Sequence, residues 1–279
     1  MAVCAVIGLS LARCSFISIV NAGWAKCKAR SCGRSVGRVN QLKTLAVGVI
    51  IVVEGCTQKT DQNRGIPVGT HSAGTFEKAY VDDRSCFGSQ PSLWLRSLPD
   101  EWYGRGGTAV DLGCGHGRNG IYVARRGMDV LALDLSPSAI RELNELSASE
   151  GLDMTGICSD IRNHPLPPCR LVIAVTVLSV LTEADIRELS VRLAESLVPG
   201  GMLLLEDFTR KDPGSMGAGE ASEFAPLIQH YFLPSEVPGL FPALQTVTLC
   251  EFSTVDTSHG PTHRHWIVRY VGRKGERDS

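Results

Sequence analysis

The sequence lacks three features that would each point to a particular class of protein. It has ten cysteines but no Cys-x-x-Cys pair, and without such a pair we expect no cysteine-based zinc site. The apolar run just before Glu54 has about ten residues, too few to span a bilayer. Residues 1–53 contain seven Lys or Arg but no Asp or Glu. The missing cysteine pair argues against a zinc ribbon, and the short apolar run argues against a membrane-spanning helix. The lack of acidic residues makes the N-terminal segment wholly basic.

The acid-free N-terminus is followed by an acidic remainder. The whole chain has a formal net charge of −1, which leaves 21 basic and 29 acidic residues in residues 54–279. An acidic body argues against a nucleic-acid substrate, because phosphate binding needs a cationic surface. We therefore expect a small-molecule partner and no nucleic acid. With 279 residues and 43% hydrophobic composition, the chain can bury one main domain beside an extension.

Residues 1–75 are predicted to be an N-terminal extension, and residues 76–275 the functional domain. Within the extension, residues 42–56 combine a basic flank, a short apolar run and a terminal cysteine, which resembles a bacterial lipoprotein signal. Glu54 is unfavourable beside the cleavage point, and an Arg- and Ser-rich transit peptide or untranslated upstream sequence are the alternatives. The scattered cysteines favour a reduced, cytoplasmic protein. Membrane contact is expected only if the lipoprotein signal operates.

The most informative motif follows a short apolar run, Thr108–Leu112, which predicts a strand. Three glycines at alternate positions come next, and residues 121–126 resume a helical pattern. Strand, glycine turn and helix form a nucleotide-binding unit, because glycines allow positive φ and the close approach of a ligand. Starting at Gly115 the motif is Gly-x-Gly-x-x-Gly, the dinucleotide pattern. Starting at Asp111 it is Asp-x-Gly-x-Gly-x-Gly, so the loop alone leaves two kinds of nucleotide site open.

The rest of the chain predicts a doubly wound α/β fold. A second apolar run ends in Asp134, whose carboxylate suits the vicinal hydroxyls of a ribose. Ser136 and Pro137 form a strong helix start, as N-cap and first helical residue. Thr182 is predicted to cap a later helix, which ends at the Leu-x-Pro-Gly-Gly turn of residues 197–201. Further strands are predicted at residues 155–161, 171–177 and 202–205.

Taken in order, Asp111, Asp134, Asp160 and the turn at 197–201 resemble the motifs of class I S-adenosylmethionine-dependent methyltransferases. Residues 112–130, with Leu-Gly-Cys-Gly-His-Gly-Arg-Asn, are similar to the tellurite-resistance type of this family. The resemblance implies a Rossmann-like, seven-stranded, mostly parallel sheet with one antiparallel strand. It also implies S-adenosylmethionine as the cofactor.

The same resemblance assigns contacts to the cofactor. It implies that Asp160 holds the adenine amino group and that Phe87 belongs to a lid. The implied contacts are Phe87, Asp111, Gly113, Cys114, Gly115, Gly117, Arg118, Asn119, Asp134, Leu135, Asp160, Ile161 and Val175. The chain departs from the family in having Arg170 where an acidic residue often begins the fourth strand. Residues 210–242 match no family motif, so the resemblance does not identify the methyl acceptor.

The loop between the sixth and seventh strands, residues 253–264, is predicted to overhang the active site. It contains His259, His263 and Arg264, which could remove a proton or bind an oxyanion. A metal is least favoured, since the two histidines lack a third ligand at metal spacing; His265 is expected to be structural. The predicted function is methylation of a small molecule, with a chalcogen oxyanion or a thiol as candidate acceptors. A non-catalytic S-adenosylmethionine-binding module and an NAD-binding oxidoreductase are the alternatives.

Overall fold

The computed structural model of the chain describes residues 71–83, 86–217 and 221–276. The predicted extension, with its signal-like segment, therefore lies outside the described residues except at 71–75. None of the helices in the described ranges combines the length and hydropathy that crossing a membrane requires.

The described strands form a seven-stranded mixed sheet with the order β3-β2-β1-β4-β5-β7-β6. β7 runs antiparallel to both of its neighbours, and the other neighbouring strands are parallel. This confirms the predicted doubly wound, Rossmann-like fold with one antiparallel strand. The strands are β1 (Thr108–Leu112), β2 (Asp129–Asp134), β3 (Met154–Cys158), β4 (Cys169–Val175), β5 (Leu197–Phe208), β6 (Leu244–Asp256) and β7 (His263–Lys274).

Helices fill most of the connections between these strands. Short 3-10 turns lie at Leu178–Val180, Ala225–Leu227 and Pro234–Glu236. The α-helices of the described ranges are α1 (His71–Asp82), α2 (Leu93–Ser97), α3 (Asp100–Tyr103), α4 (Arg118–Ala124), α5 (Pro137–Glu150), α6 (Glu183–Ser196), α7 (Pro213–Met216) and α8 (Val237–Leu240).

Apolar clusters cover both faces of the sheet, because alternate residues of a strand point to opposite faces. On one face Val172 and Ala174 of β4 belong to a cluster that includes residues of α6. On the other face Leu171 and Ile173 belong to a cluster that includes residues of α4 and α5. A strand buried on both faces can be apolar throughout, which explains the continuous apolar run at β4. The carboxyl ends of the parallel strands meet at one edge, where ligands of such folds bind.

Two predicted helix starts are confirmed. Ser136 Oγ accepts a hydrogen bond from the Ala139 amide at 3.1 Å, directly before α5. Thr182 Oγ1 accepts one from the Asp185 amide at 3.2 Å, directly before α6. Each cap satisfies an amide that the first helical turn leaves without a partner. The cap at Ser136 also starts α5 immediately after β2, beside the glycine loop.

The hairpin of β6 and β7 is longer than the sequence predicts. β6 extends to Asp256, β7 begins at His263, and these two residues are paired in the antiparallel register. The predicted loop of residues 253–264 is therefore only residues 257–262. Polar side chains at both strand ends conceal this pairing, since hydropathy alone ends a strand at its last apolar residue. His263 and His265 consequently lie on a strand, with their side chains on the same face.

Candidate active site

The glycine loop between β1 and α4 has a backbone that side chains would obstruct. Gly113, Gly115 and Gly117 have φ of 58°, 51° and 82°, in the left-handed region. A Cβ at position 115 would lie 2.6 Å from the hydroxyl oxygen of Tyr80, which belongs to α1. Cys114, between the first two of these glycines in sequence, is buried, and its backbone amide donates a hydrogen bond to Leu133 O at 3.0 Å. The loop therefore presents backbone to the carboxyl edge of the sheet, and Tyr80 packs against it.

The buried side chain of Asp111 connects the end of β1 to the start of α4, on either side of the glycine loop. Its Oδ2 accepts a hydrogen bond from the Gly120 amide at 2.8 Å, and its side chain is buried. Burial is the main cause that raises the pKa of Asp111 to about 7. The structure thus places Asp111 behind the loop, where it fixes the start of α4.

Asp134 connects the end of β2 to the same loop. Its Oδ2 accepts from the Gly115 amide at 2.8 Å, and its Oδ1 accepts from the Ser136 amide at 2.9 Å. Burial raises the pKa of this carboxyl, although the amide hydrogen bonds oppose that shift. The next side chain, Leu135, is 51% exposed. A carboxylate and an exposed apolar side chain therefore stand together beside the loop.

Asp160 and Ile161, which were predicted to contact the cofactor, have other partners in the structure. Both carboxylate oxygens of Asp160 accept hydrogen bonds from Arg162, whose Nε lies 3.0 Å from each of them. The Arg162 guanidinium is the main cause that lowers the pKa of Asp160. Ile161 is buried in an apolar cluster. The described structure does not bring these two residues to the cleft that follows the glycine loop.

Arg118 and Asn119, at the start of α4, hold the segment of residues 87–92, which we call the lid segment. Arg118 Nη1 donates to Phe87 O at 2.7 Å, and Asn119 Oδ1 accepts from the Ser92 amide at 2.9 Å. Ser92 Oγ donates to Glu206 Oε1 at 2.9 Å, which also ties the segment to β5. Two residues predicted to contact the cofactor thus position the lid segment.

A cleft of about 630 Å³ extends from the glycine loop along the carboxyl edge of the sheet. Its walls include Phe87, which contacts the rings of Phe76, Tyr80, Phe224 and His259. The volume lies within the roughly 300–1,000 Å³ typical of small-molecule sites. Of the predicted site residues, those that line the cleft are Phe87, Gly113, Cys114, Gly115, Arg118, Asn119, Val175 and His259.

Four residues form what we call the histidine cluster at the far end of this cleft: Asp256, His259, His263 and His265. His263 Nε2 lies 3.0 Å from His265 Nε2, and the rings of His259 and His263 are 4.9 Å apart. Burial lowers the pKa of His259, which favours its neutral form. The cluster thus gathers three imidazoles and one carboxylate where the cleft meets the β6–β7 hairpin.

Arg264 does not join the cluster. It lies between His263 and His265 on β7, so its side chain points to the opposite face, where Nη1 donates to Ser253 Oγ at 2.9 Å. His265, expected to be structural, lines the cleft instead. The alternation of an extended strand is the sequence signal that would have paired His263 with His265 and excluded Arg264.

An ion pair in the cleft wall has no signal in the sequence. Arg269 Nε donates to Glu206 Oε1, and both side chains are at least four-fifths buried. Glu206 on β5 and Arg269 on β7 are directly paired in the antiparallel register. Only the adjacency of β5 and β7, which are far apart in sequence, brings these charges together.

Thr176, just after β4, has a strained backbone. Its φ is 53°, a left-handed value that a β-branched residue rarely adopts. Its amide donates to Glu206 O at 2.7 Å, and its Oγ1 donates to Val175 O at 2.8 Å. Thr176 and Val175 line the cleft between the glycine loop and the histidine cluster. Strain held in place by hydrogen bonds is typical of functional sites.

The sequence matches known proteins in the segment that builds this site. Residues 109–201 match the family described as a methyltransferase domain. Carboxy-S-adenosyl-L-methionine synthase from Shewanella pealeana is 34% identical over 104 residues, which cover 35% of this chain and 42% of that protein. The chain spans less than half the length of the curated relatives it matches.

Solved structures share the fold at low sequence identity. TehB from Haemophilus influenzae has a TM-score of 0.51 at 19% identity, over 60% of this chain and 57% of that one. The 1,6-didemethyltoxoflavin-N1-methyltransferase of Burkholderia thailandensis has a TM-score of 0.52 at 16% identity, over 78% and 94%. These likenesses show the fold alone. The family match describes residues 109–201 as a methyltransferase domain.

Proposed function

We propose that this chain transfers a methyl group from S-adenosylmethionine to a small molecule bound at the histidine cluster. The observation that carries the proposal is one continuous cleft. It has the glycine loop at one end and Asp256, His259 and His265 at the other. Donor and acceptor bound at the two ends would face each other across Thr176.

The residues of the first end fit the cofactor. The Gly113–Gly117 loop exposes backbone that can approach a ligand closely. Asp134 lies beside it with its carboxylate engaged by backbone amides, and since each carboxylate oxygen has two lone pairs, some remain for ribose hydroxyls. We propose that the exposed Leu135 covers the adenine ring. Asp160 could reach the adenine amino group only by giving up part of its pairing with Arg162.

Positioning supplies much of the acceleration in such a reaction. When bound, S-adenosylmethionine supplies a methyl group on a positively charged sulfonium, and its transfer is an in-line displacement. The lid segment, fixed by Arg118 and Asn119, lines the cleft and would shield a bound cofactor from water. The paired strands of the β6–β7 hairpin and the strained Thr176 would fix the direction from which an acceptor approaches.

The acceptor end suits a small, anionic or soft nucleophile. Its imidazoles can accept a proton or, when protonated, hold an anion. The likeness of the glycine loop to the tellurite-resistance type supports a chalcogen oxyanion or a thiol as acceptor. The toxoflavin methyltransferase of the same fold, solved with a small acceptor and S-adenosylhomocysteine, supports a small-molecule acceptor.

The test is a binding and activity panel on the full chain. Calorimetric titration with S-adenosylmethionine, S-adenosylhomocysteine and NAD should show binding of the first two and none of NAD. Incubation with chalcogen oxyanions, thiols and amines, followed by mass detection, should give a methylated product. Binding of NAD alone would favour an oxidoreductase. Binding of S-adenosylmethionine without any methylated product would favour a sensor or partner-binding module.

A further inference from the structure

The histidine cluster has the composition of a metal site. One potential ligand atom from each of its four residues lies within 4.8 Å of the other three. His263 and His265 are buried, and the Asp256 side chain is 26% exposed. Three imidazole nitrogens and a carboxylate oxygen are a donor set that Zn²⁺ and its first-row neighbours bind.

The proton positions on two of these rings follow from their partners. His263 Nδ1 lies 2.8 Å from the carbonyl oxygen of Pro261, and His265 Nδ1 lies 2.8 Å from Asp212 Oδ2. A carbonyl and an ionised carboxylate only accept, so both Nδ1 atoms carry hydrogen. In the neutral rings both Nε2 atoms therefore bear lone pairs. These two Nε2 atoms face each other at 3.0 Å.

Two lone pairs at that distance repel each other unless a positive charge stands beside them. Zn–N bonds of about 2.0–2.1 Å in a tetrahedral site place two nitrogens about 3.3 Å apart. The observed separation of the two Nε2 atoms is 3.0 Å, so a small movement of either ring would accommodate an ion bound to both.

The outer hydrogen bonds are also those of metal ligands. A ligating histidine usually donates its other N–H to a carboxylate or a backbone carbonyl, which fixes the tautomer and the ring. His265 does so to Asp212 and His263 does so to Pro261 O. Asp212 is buried and is itself held by the amides of Gly214, at 2.9 Å, and Trp266, at 3.1 Å.

We propose that the histidine cluster binds one divalent transition-metal ion of the zinc type. Imidazole-rich sites select such ions over Mg²⁺ and Ca²⁺, which prefer oxygen ligands throughout. The proposal replaces the sequence expectation of no metal, which counted only His259 and His263. The missing ligands are His265, two residues after His263 on the same strand, and Asp256, which is paired with His263 in the hairpin.

An ion in the cluster would stand at the acceptor end of the cleft, since Asp256, His259 and His265 line it. There the ion could take an anionic or thiol acceptor as a fifth ligand and help a protonated acceptor lose its proton. This role toward an acceptor rests on the proposed methyl transfer, whereas the binding of the ion does not.

A proton is the competing occupant. If one of the two rings were an imidazolium, its Nε2–H could donate to the other ring. The carboxylate of Asp212, which contacts His265, and that of Asp256 within the cluster would balance that charge. In that case the cluster binds no ion, and nitrogen-15 NMR shows one ring with hydrogen on both nitrogens.

The test is a titration of the full-length chain after treatment with a chelator. Co²⁺ is added first, because four-coordinate Co²⁺ has characteristic visible absorption, and Zn²⁺ is then measured by calorimetry. We expect one ion per chain. Asp212→Asn should weaken the affinity about 10–100-fold, the usual effect of losing an outer partner, and His265→Gln should weaken it further. His230→Gln is the matched control, because His230 contacts Glu236 instead.

Absence of the Co²⁺ absorption, or unchanged affinity in folded His265→Gln, would overturn the proposal, as would the imidazolium pattern in NMR. Circular dichroism shows whether each variant folds, and the wild-type stoichiometry stands without any variant. Calorimetry with S-adenosylhomocysteine on the same sample separates the two proposals. Cofactor binding without metal supports methyl transfer alone, and metal without cofactor supports the metal site alone.

Discussion

The carboxylate of Asp111 accepts a hydrogen bond from the backbone amide of Gly120 at 2.8 Å, across the glycine loop that lies between them in sequence. The Asp111 side chain is buried, and burial raises its pKa to about 7. The group that fixes the loop therefore changes its charge close to neutral pH.

The stability of the protein should fall as pH rises through the titration of Asp111. Its pKa is 3.8 in the unfolded chain and about 7 in the folded one. Between these values the folded state binds more protons, so the free energy of unfolding decreases with rising pH. The contribution is at most about 4 kcal/mol. Asp207, whose pKa burial raises to about 6, acts in the same direction.

Denaturant unfolding of the wild type and of Asp111→Asn, between about pH 4 and 7, checks this expectation. The Asn side chain can still accept from the Gly120 amide but cannot titrate. The stability of the variant should therefore decline less steeply with pH. Equal slopes for the two proteins would show that Asp111 does not contribute.

Removing the carboxylate of Asp134 should weaken cofactor binding. Asp134→Ala leaves the amides of Gly115 and Ser136 without their acceptor and removes the proposed ribose contact. We expect the Kd of S-adenosylhomocysteine to rise by a factor corresponding to about 1–3 kcal/mol. Calorimetry measures it. Asp129→Ala, at the exposed start of the same strand, is the control and should leave the Kd unchanged. A similar loss in both variants would contradict the assignment.

The ion pair of Glu206 and Arg269 should be energetically coupled. Arg269→Met leaves Glu206 without its cation in a largely buried site and should cost about 2–3 kcal/mol of stability. When Glu206→Gln is combined with it, the total loss should be smaller than the sum of the two single losses. Thermal or denaturant unfolding gives the three values. Arg273→Met, an exposed change on the same strand, should stay within about 0.5 kcal/mol. Additive losses for Glu206 and Arg269 would show that the pair is not coupled.

The fold could be predicted because its signals are local. β1 begins and ends where the apolar run does, and the caps at Ser136 and Thr182 mark the starts of α5 and α6. Periodic burial and capping act within a few residues, so the sequence shows them directly. The antiparallel β7 followed only from the resemblance to a family, because strand order is decided by contacts between distant segments.

The site was predicted less completely, for the same physical reason. The glycine loop is contiguous and was found. The histidine cluster depends on which face of β7 each side chain takes, and a boundary error of two residues exchanged His265 for Arg264. Glu206 and Arg269 meet only across strands that are distant in sequence. Asp160 was assigned by the resemblance, but its pairing with Arg162 is a feature of this chain.

The rate of methyl transfer should depend on pH through His259 in chelator-treated protein. Burial lowers the pKa of this histidine below its ordinary value of 6.5. If His259 takes a proton from the acceptor, only its neutral form is active, and that fraction grows as pH rises through the pKa. The rate should then increase with pH, with a midpoint below 6.5, and reach a plateau.

An oxyanion acceptor has no proton to lose, and a protonated imidazole would hold it, so the rate should instead fall as pH rises. The measurement is kcat between about pH 5 and 8 for the wild type, His259→Gln and His263→Ala. Loading the cluster with Zn²⁺ should suppress either dependence, because the ligating nitrogen can no longer bind a proton. A wild-type profile that is flat without metal, and unchanged in His259→Gln, would remove His259 from the mechanism.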